Sequence, residues 1–206
     1  MKVFKFDNLY IVYTEKKDGN QRVEENRKRV LQNFSFDKVF LPVQKHTNKV
    51  VKHSLLPYEA DGVFTDRKGL PVGVLTADCM PIVLFDKERL SVLHAGWRGL
   101  FSGIIQNGLK NHTAKNTKVF ILPSIRKCCY QVDKLFISNL NISDRFFEKR
   151  KDGIYLSLQK VAKSIFMENG IDKIYEVPIC TGCCDNLYSY RKGDFEDRIM
   201  TFAWFE

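Results

Sequence analysis

Residues 72–109 read VGVLTADCMPIVLFDKERLSVLHAGWRGLFSGIIQNGL, and the order of apolar runs and turn residues in this stretch decides the fold. VGVL at 72–75, IVLF at 82–85 and LSVL at 90–93 are short apolar runs separated by TADCMP and DKER, the pattern of strands joined by turns. Trp97, Leu100, Phe101, Ile104, Ile105 and Leu109 then keep to one helical face. Residues 96 to 110 are therefore expected to form one helix packed on a sheet. Reactive residues sit at the strand ends, in TADCMP (Thr76 to Pro81) and HAGWRG (His94 to Gly99), where side chains from separate segments can converge on a cleft.

Outward from this stretch, Val23, Val30, Leu31 and Phe34 mark an amphipathic helix within NQRVEENRKRVLQNF, and a strand is expected at KVFLPV, residues 38–43. Apolar runs at Val50 to Val51 and Val63 to Phe64 add strands before the central stretch. After it come a strand at VFIL (119–122) and a helix through Leu158, Val161, Ala162, Ile165 and Phe166 that stops near Gly170. IYEVPI (174–179) and IMTFAWF (199–205) read as closing strands. Helices and strands intermingle without regular alternation, which predicts an α/β chain with mixed sheets rather than a doubly wound parallel sheet. No repeat or linker breaks the 206 residues, so a single domain, 1–206, is expected.

The composition, 44% apolar and 28% charged, is that of an ordinary globular protein. The opening MKVFKFDNLYIVYTEKK is interrupted by charges too often for a signal peptide or a membrane span, so a cytoplasmic location without a membrane partner is expected. The six cysteines include the adjacent pairs Cys128/Cys129 and Cys183/Cys184 and show no disulfide-framework spacing, so free thiols are expected. Cys180, Cys183 and Cys184 with Cys128 or Cys129 would make a structural zinc site, but one CxxC without a second is a weak signal. A net charge of +9 suits an anionic small substrate. Basic residues are scattered and no nucleic-acid motif accompanies them, so no nucleic-acid partner is expected. Neither GxGxxG nor GxxxxGKS occurs, which removes the usual nucleotide folds.

His46 in QKHTNK, Cys79 and His94 offer two imidazoles and a thiol, the donors of a three-ligand metal site with one open position, as in catalytic zinc enzymes. His94 precedes the expected helix, whose start favours anions and a neutral imidazole. Arg98, one turn in, would hold phosphate, and Asp78 is the nearest carboxylate to shuttle a proton. Taken singly, a Cys in an apolar run is ordinarily an inert buried thiol, and a lone His beside a strand a structural one. The same pair would also serve metal-free thiol catalysis, with Cys79 as nucleophile and His94 as base. His53 and His112 lie in polar stretches and read as solvated. With only four histidines in the chain, a cluster of several copper ions lacks ligands, although a single copper in a two-His, one-Cys site remains chemically suitable.

At these residues the sequence resembles the YfiH-type family, catalogued as multicopper polyphenol oxidase or laccase-domain proteins and associated with purine nucleoside phosphorylase activity. The resemblance rests on QKH at Gln44 to His46, ADG at Ala60 to Gly62, LTADCMP at Leu75 to Pro81 and HAGWRG at His94 to Gly99. CCYQV at Cys128 to Val132 and CTGCCDNLYSYR at Cys180 to Arg191 complete it. It implies a layered α/β/β/α sandwich and a zinc-binding site made by His46, Cys79 and His94. It also implies phosphorolysis of adenosine or inosine, with adenosine deaminase and methylthioadenosine phosphorylase side activities. Gln44, Arg98, Tyr190 and Arg191 are then expected to bind substrate or phosphate, in a monomer or homodimer. The chain departs from the family pattern where glycines are common, with Leu122 and Arg126 in LPSIR and Asp197 before Arg198.

Overall fold

The three apolar runs around TADCMP form strands, but not in one sheet. In the computed structural model, which describes residues 1–54, 58–140 and 142–206, the strands in chain order begin with β1 (Lys2–Phe6), β2 (Leu9–Tyr13), β3 (Val50–Lys52) and β4 (Gly62–Thr65). The central stretch supplies β5 (Val72–Thr76), β6 (Met80–Phe85) and β7 (Leu90–Ala95). There follow β8 (Lys118–Ile121), β9 (Gln131–Val132), β10 (Phe147–Arg150), β11 (Gly153–Leu156), β12 (Ile174–Glu176) and β13 (Ile199–Phe205). The helices are α1 (Glu24–Gln32), α2 (Trp97–Phe101), α3 (Ile104–Leu109), α4 (Lys134–Ser138) and α5 (Leu158–Glu168).

β12-β8-β6-β7-β4-β3 make a mixed six-stranded sheet, parallel at its two outer pairs and antiparallel between. β1-β2-β13-β5 make an antiparallel four-stranded sheet, and β10-β11-β9 a small antiparallel one. The turn 77–79 therefore carries the chain from the four-stranded to the six-stranded sheet, and Cys79 lies on that crossing.

Side-chain alternation shows how the layers stack. Along β6, Met80, Ile82 and Leu84 face Ile104, Ile105, Val161 and Phe166 of α3 and α5, whereas Val83 and Phe85 face Leu9, Ile11 and Phe205 of the other sheet. Along β13, Ile199, Ala203 and Phe205 point into that inter-sheet core, whereas Met200, Phe202 and Trp204 pack on Val30 and Leu31 of α1. Strands covered on both faces have no need of polar alternation, which explains the unbroken apolar runs. The result is the expected α/β/β/α sandwich.

Three expectations need correction. KVFLPV is not a strand: only Phe40 and Val43 make isolated bridges, to Val72 and Glu59, and Pro42 between them has no N–H to extend a ladder. The helix expected over 96–110 is two helices, because Gly103 takes a left-handed φ of +95° that ends one ladder before the next begins. Both halves still bury one face, so the periodicity survived the break. β1 and β2, read from sequence only as an opening without a signal peptide, form half of the four-stranded sheet, their charges falling on exposed positions of the edge strand β1.

Candidate metal centre and active site

The site forms where the ends of the two sheets meet a loop before β3. His94 occupies the penultimate position of β7, Cys79 the residue before β6, and His46 a left-handed position, φ +60°, in the loop 44–49. One ligand atom from each lies within 4.8 Å of the others, and Cys79 Sγ is 3.8 Å from His46 Nε2. The sequence thus named three residues that the fold brings together across 48 positions.

Asp61 organises them. Fully buried at the start of β4, it accepts hydrogen bonds from the backbone N–H groups of Lys45 (3.1 Å), His46 (2.9 Å) and Thr47 (2.6 Å) and from the Thr47 hydroxyl (2.8 Å). These bonds fold the loop that presents His46. The same carboxylate accepts from His94 Nδ1 at 2.7 Å, and the Asp61 carbonyl accepts from His94 N at 2.6 Å. With Nδ1–H committed, Nε2 is the nitrogen left to face Cys79, the tautomer that a carboxylate imposes on a metal-ligating histidine. Burial opposes ionisation of Asp61, but the bonds from His94 and Thr47 hold its carboxyl well below the usual carboxylate range.

As the side chains stand, Cys79 and His94 form an acidified thiol beside a basic imidazole. Burial would raise the Cys79 pKa, yet His94 and His46 together draw it down to about 6. Burial would lower that of His94, but the Cys79 thiolate and Asp61 raise it to about 9. This corrects the expectation that the helix start keeps His94 neutral: two anionic neighbours in direct contact outweigh the dipole of the five-residue α2.

The donor set suits a metal ion. Zinc bonds of about 2.0–2.3 Å to nitrogen and sulfur place tetrahedral ligands roughly 3.5 Å apart, so a small contraction of the present spacing suffices. Gly96 keeps the space open: a Cβ there would lie 2.9 Å from Cys79 Sγ and 3.0 Å from His46 Cδ2. Gly99 does the same for the His46 loop, since its Cβ would lie 2.7 Å from the Thr47 carbonyl oxygen. The glycines of HAGWRG thus permit close approach of backbone to ligands.

The three side chains open into a cleft of about 570 Å³. Arg22, Arg98, Arg191 and Arg198 line it, together with a single carboxylate, Asp78. Arg98 lies over the Trp97 ring at 4.4 Å, and Arg191 over Tyr130 at 5.0 Å while donating to the Gln131 carbonyl. Arg22 and Arg198 escaped sequence reading, because nothing local marks two exposed or half-buried arginines 176 positions apart as neighbours. Asp61 left a trace, the ADG motif, but no role.

Some candidates are placed differently from expectation. Asp78, positioned by sequence to shuttle a proton, is buried and engaged on both oxygens: it accepts from Thr181 Oγ1 at 2.6 Å and from Arg191 N at 2.9 Å. It ties the 180–191 loop to the crossing. Gln44 lines the cleft but joins both ends of its amide to the Leu75 backbone, donating and accepting at 2.8 Å, so it extends β5 sideways. Tyr190 does line the cleft, exposed at its rim and edge-on to Phe195. His112 is not solvated: its side chain is buried, Nε2 lies 2.7 Å from Ser91 Oγ and Nδ1 3.4 Å from Asp86. His53 is half-buried, and burial lowers its pKa.

Residues 5–206 match the family described as multi-copper polyphenol oxidoreductase laccase. A relative from Aquifex aeolicus, named purine nucleoside phosphorylase, is 37% identical over 171 residues, covering 80% of this chain and 82% of its own. A Haemophilus influenzae protein of the same name is 29% identical over 92% of this chain and 84% of its own. Among solved structures, a Neisseria meningitidis protein superposes with a TM-score of 0.88 at 23% identity, over 100% of this chain and 98% of its own. The Bacillus licheniformis hypothetical protein YfiH gives 0.87 at 24% identity, over 98% and 94%. Those two likenesses bear on the fold alone. With a family match across nearly the whole sequence and a close curated relative, the chain belongs to the YfiH-type, laccase-domain family of enzymes.

Proposed function

We propose that this chain is a purine nucleoside phosphorylase that splits adenosine and inosine with phosphate, with adenosine deamination and methylthioadenosine phosphorolysis as accompanying activities, at a zinc site made by His46, Cys79 and His94. The observation that carries the reading is one cleft holding both a His/Cys/His donor set and four arginines. Curated relatives named for this reaction support it. A bound zinc ion would supply a Lewis acid and lower the pKa of a coordinated water to about 7.

The chain's own residues do the remaining work. Arginine forks bind the dianionic phosphate and orient it towards the ribose. Asp61 holds His94 in one tautomer and so fixes where its Nε2 points. Tyr130 lines the cleft, and burial pushes its phenol up to about 12, so at neutral pH it is a neutral hydrogen-bond donor to the bound nucleoside rather than a strong acid. Trp97 and Tyr190 offer aromatic surface for a purine ring.

Metal-quantified protein incubated with inosine, adenosine or methylthioadenosine is expected to release free base only when phosphate is added, as read by chromatography. No base release and no deamination from protein with a filled metal site would sink the reading. A second reading, metal-free thiol catalysis, is favoured by the acidified Cys79 beside two imidazoles. Full activity after exhaustive chelation, with Cys79 trapped by an alkylating substrate analogue, would decide for it.

A further inference from the structure

The second concentration of metal-ligating groups lies outside this cleft. Cys128, Cys129, Cys180 and Cys183 bring four sulfurs within 4.8 Å of one another, with Cys183 Sγ 3.4 Å from Cys128 Sγ and 3.3 Å from Cys129 Sγ. They come from two facing turns. One follows β8, where the N–H groups of Cys129 and Tyr130 both reach the Arg126 carbonyl at 2.9 Å. In the other, the N–H groups of Cys183 and Cys184 reach the Cys180 carbonyl at 3.2 and 3.0 Å. The turns are held in register by a parallel bridge between Ser124 and Cys180.

Three features suit this group of thiols to one ion. Metal–sulfur bonds of about 2.3 Å in a tetrahedron set the sulfurs roughly 3.8 Å apart, inside the range seen here. The Arg126 N–H points at Cys180 Sγ, 3.4 Å away, a backbone donor suited to a ligating thiolate. Gly182 leaves room for the sulfurs to converge, since a Cβ there would lie 2.9 Å from Cys129 Cβ and 3.0 Å from its Sγ. Cys180 is buried and Cys128 and Cys183 are exposed, so an ion has an entry route to a fixed inner ligand. All six cysteines are free thiols. Cys184 stays out of the group and packs against the inter-sheet core.

We propose that Cys128, Cys129, Cys180 and Cys183 form a second, structural site that binds one zinc ion through four thiolates. Its position states its use. The first turn leads into Tyr130 and the second into Tyr190 and Arg191, all lining the cleft, and Asp78 already joins the second turn to the Cys79 crossing through Thr181 and Arg191. An ion between the turns clamps two cleft walls that are 52 residues apart in sequence (180 − 128). Metal binding here does not depend on which reaction the cleft performs.

Elemental analysis of the full chain purified from zinc-supplemented cells separates the two sites. Two zinc ions per chain are expected in the unaltered protein, one in Cys79→Ser, one in Cys183→Ser, and none in the double variant. Cobalt loaded into Cys79→Ser should give the intense visible and sulfur-to-metal charge-transfer bands of a tetrahedral thiolate site, and chelation should lower that variant's Tm. Cys184→Ser, altered next door, should keep both ions. This cobalt titration needs no substitution in the cluster, so a misfolded Cys183→Ser would not spare the proposal. One zinc per chain with none in Cys79→Ser, or a Cys183 disulfide to Cys128 or Cys129 in protein alkylated without air, would overturn it.

Discussion

Asp61 accounts for more of the site's geometry than His46, Cys79 or His94. One buried carboxylate accepts five hydrogen bonds, four from the 45–47 loop and one from His94. Asp61→Asn keeps the shape but turns one acceptor oxygen into a donor facing N–H groups, so zinc affinity should fall about 10–100-fold, as for other carboxylates behind ligating histidines. Competition with a chromogenic chelator measures it; unchanged affinity would remove Asp61 from this role. Cys79 has a pH consequence as well. In metal-stripped protein its thiol ionises near pH 6, so alkylation should already be at its plateau at pH 7.5 and fall below pH 6 as the thiolate takes up a proton. A midpoint near 8.5, the ordinary thiol value, would mean that the imidazoles do not act on it.

At the scale of elements, the break between α2 and α3 is the informative case. A continuous helix over 96–110 satisfies the apolar spacing, and only the left-handed backbone at Gly103 says otherwise. Gly103→Ala should destabilise the fold by about 1–2 kcal/mol, the cost of a left-handed Cβ, because its nearest neighbour, Gln106, leaves space for the methyl itself. Urea unfolding checks this. A stabilised variant would mean that the two helices merge at little cost. α3 gains from the break the freedom to lie close on β7, where Gly108 brings its backbone against Leu93 and Leu84.

At the scale of the whole molecule, the cleft is an assembly of distant segments. Arg22 precedes α1, Arg98 sits in α2, Arg191 follows the cysteine-rich turn and Arg198 precedes β13. Each phosphate contact through a charged hydrogen bond contributes about 1.5–3 kcal/mol. Arg98→Ala and Arg198→Ala should therefore each raise the phosphate KM by roughly 10–100-fold in the phosphorolysis assay, with the zinc content unchanged. A KM within twofold of the unaltered protein's for both variants would place the anion elsewhere.

The sequence alone determined the elements with strong local signatures. The amphipathic helices α1 and α5 and the twice-covered strands β6, β7 and β13 follow from residue types that solvent exclusion dictates locally. His46, Cys79 and His94 were singled out as candidate ligands by the family motifs around them, whereas taken singly each also fits an inert, structural reading. Asp61, Arg22 and Arg198 were not legible as site residues, nor was the engagement of Asp78 and Gln44 with backbone, because each depends on which remote segment packs alongside. His112 shows the same limit, its polar neighbours in sequence hiding a buried pairing with Ser91 and Asp86. The convergence of four thiols from turns 52 residues apart was likewise decided by tertiary structure. A single CxxC fixes two ligands through local chain geometry, whereas the other two arrive only because β8 and the segment after β12 run side by side.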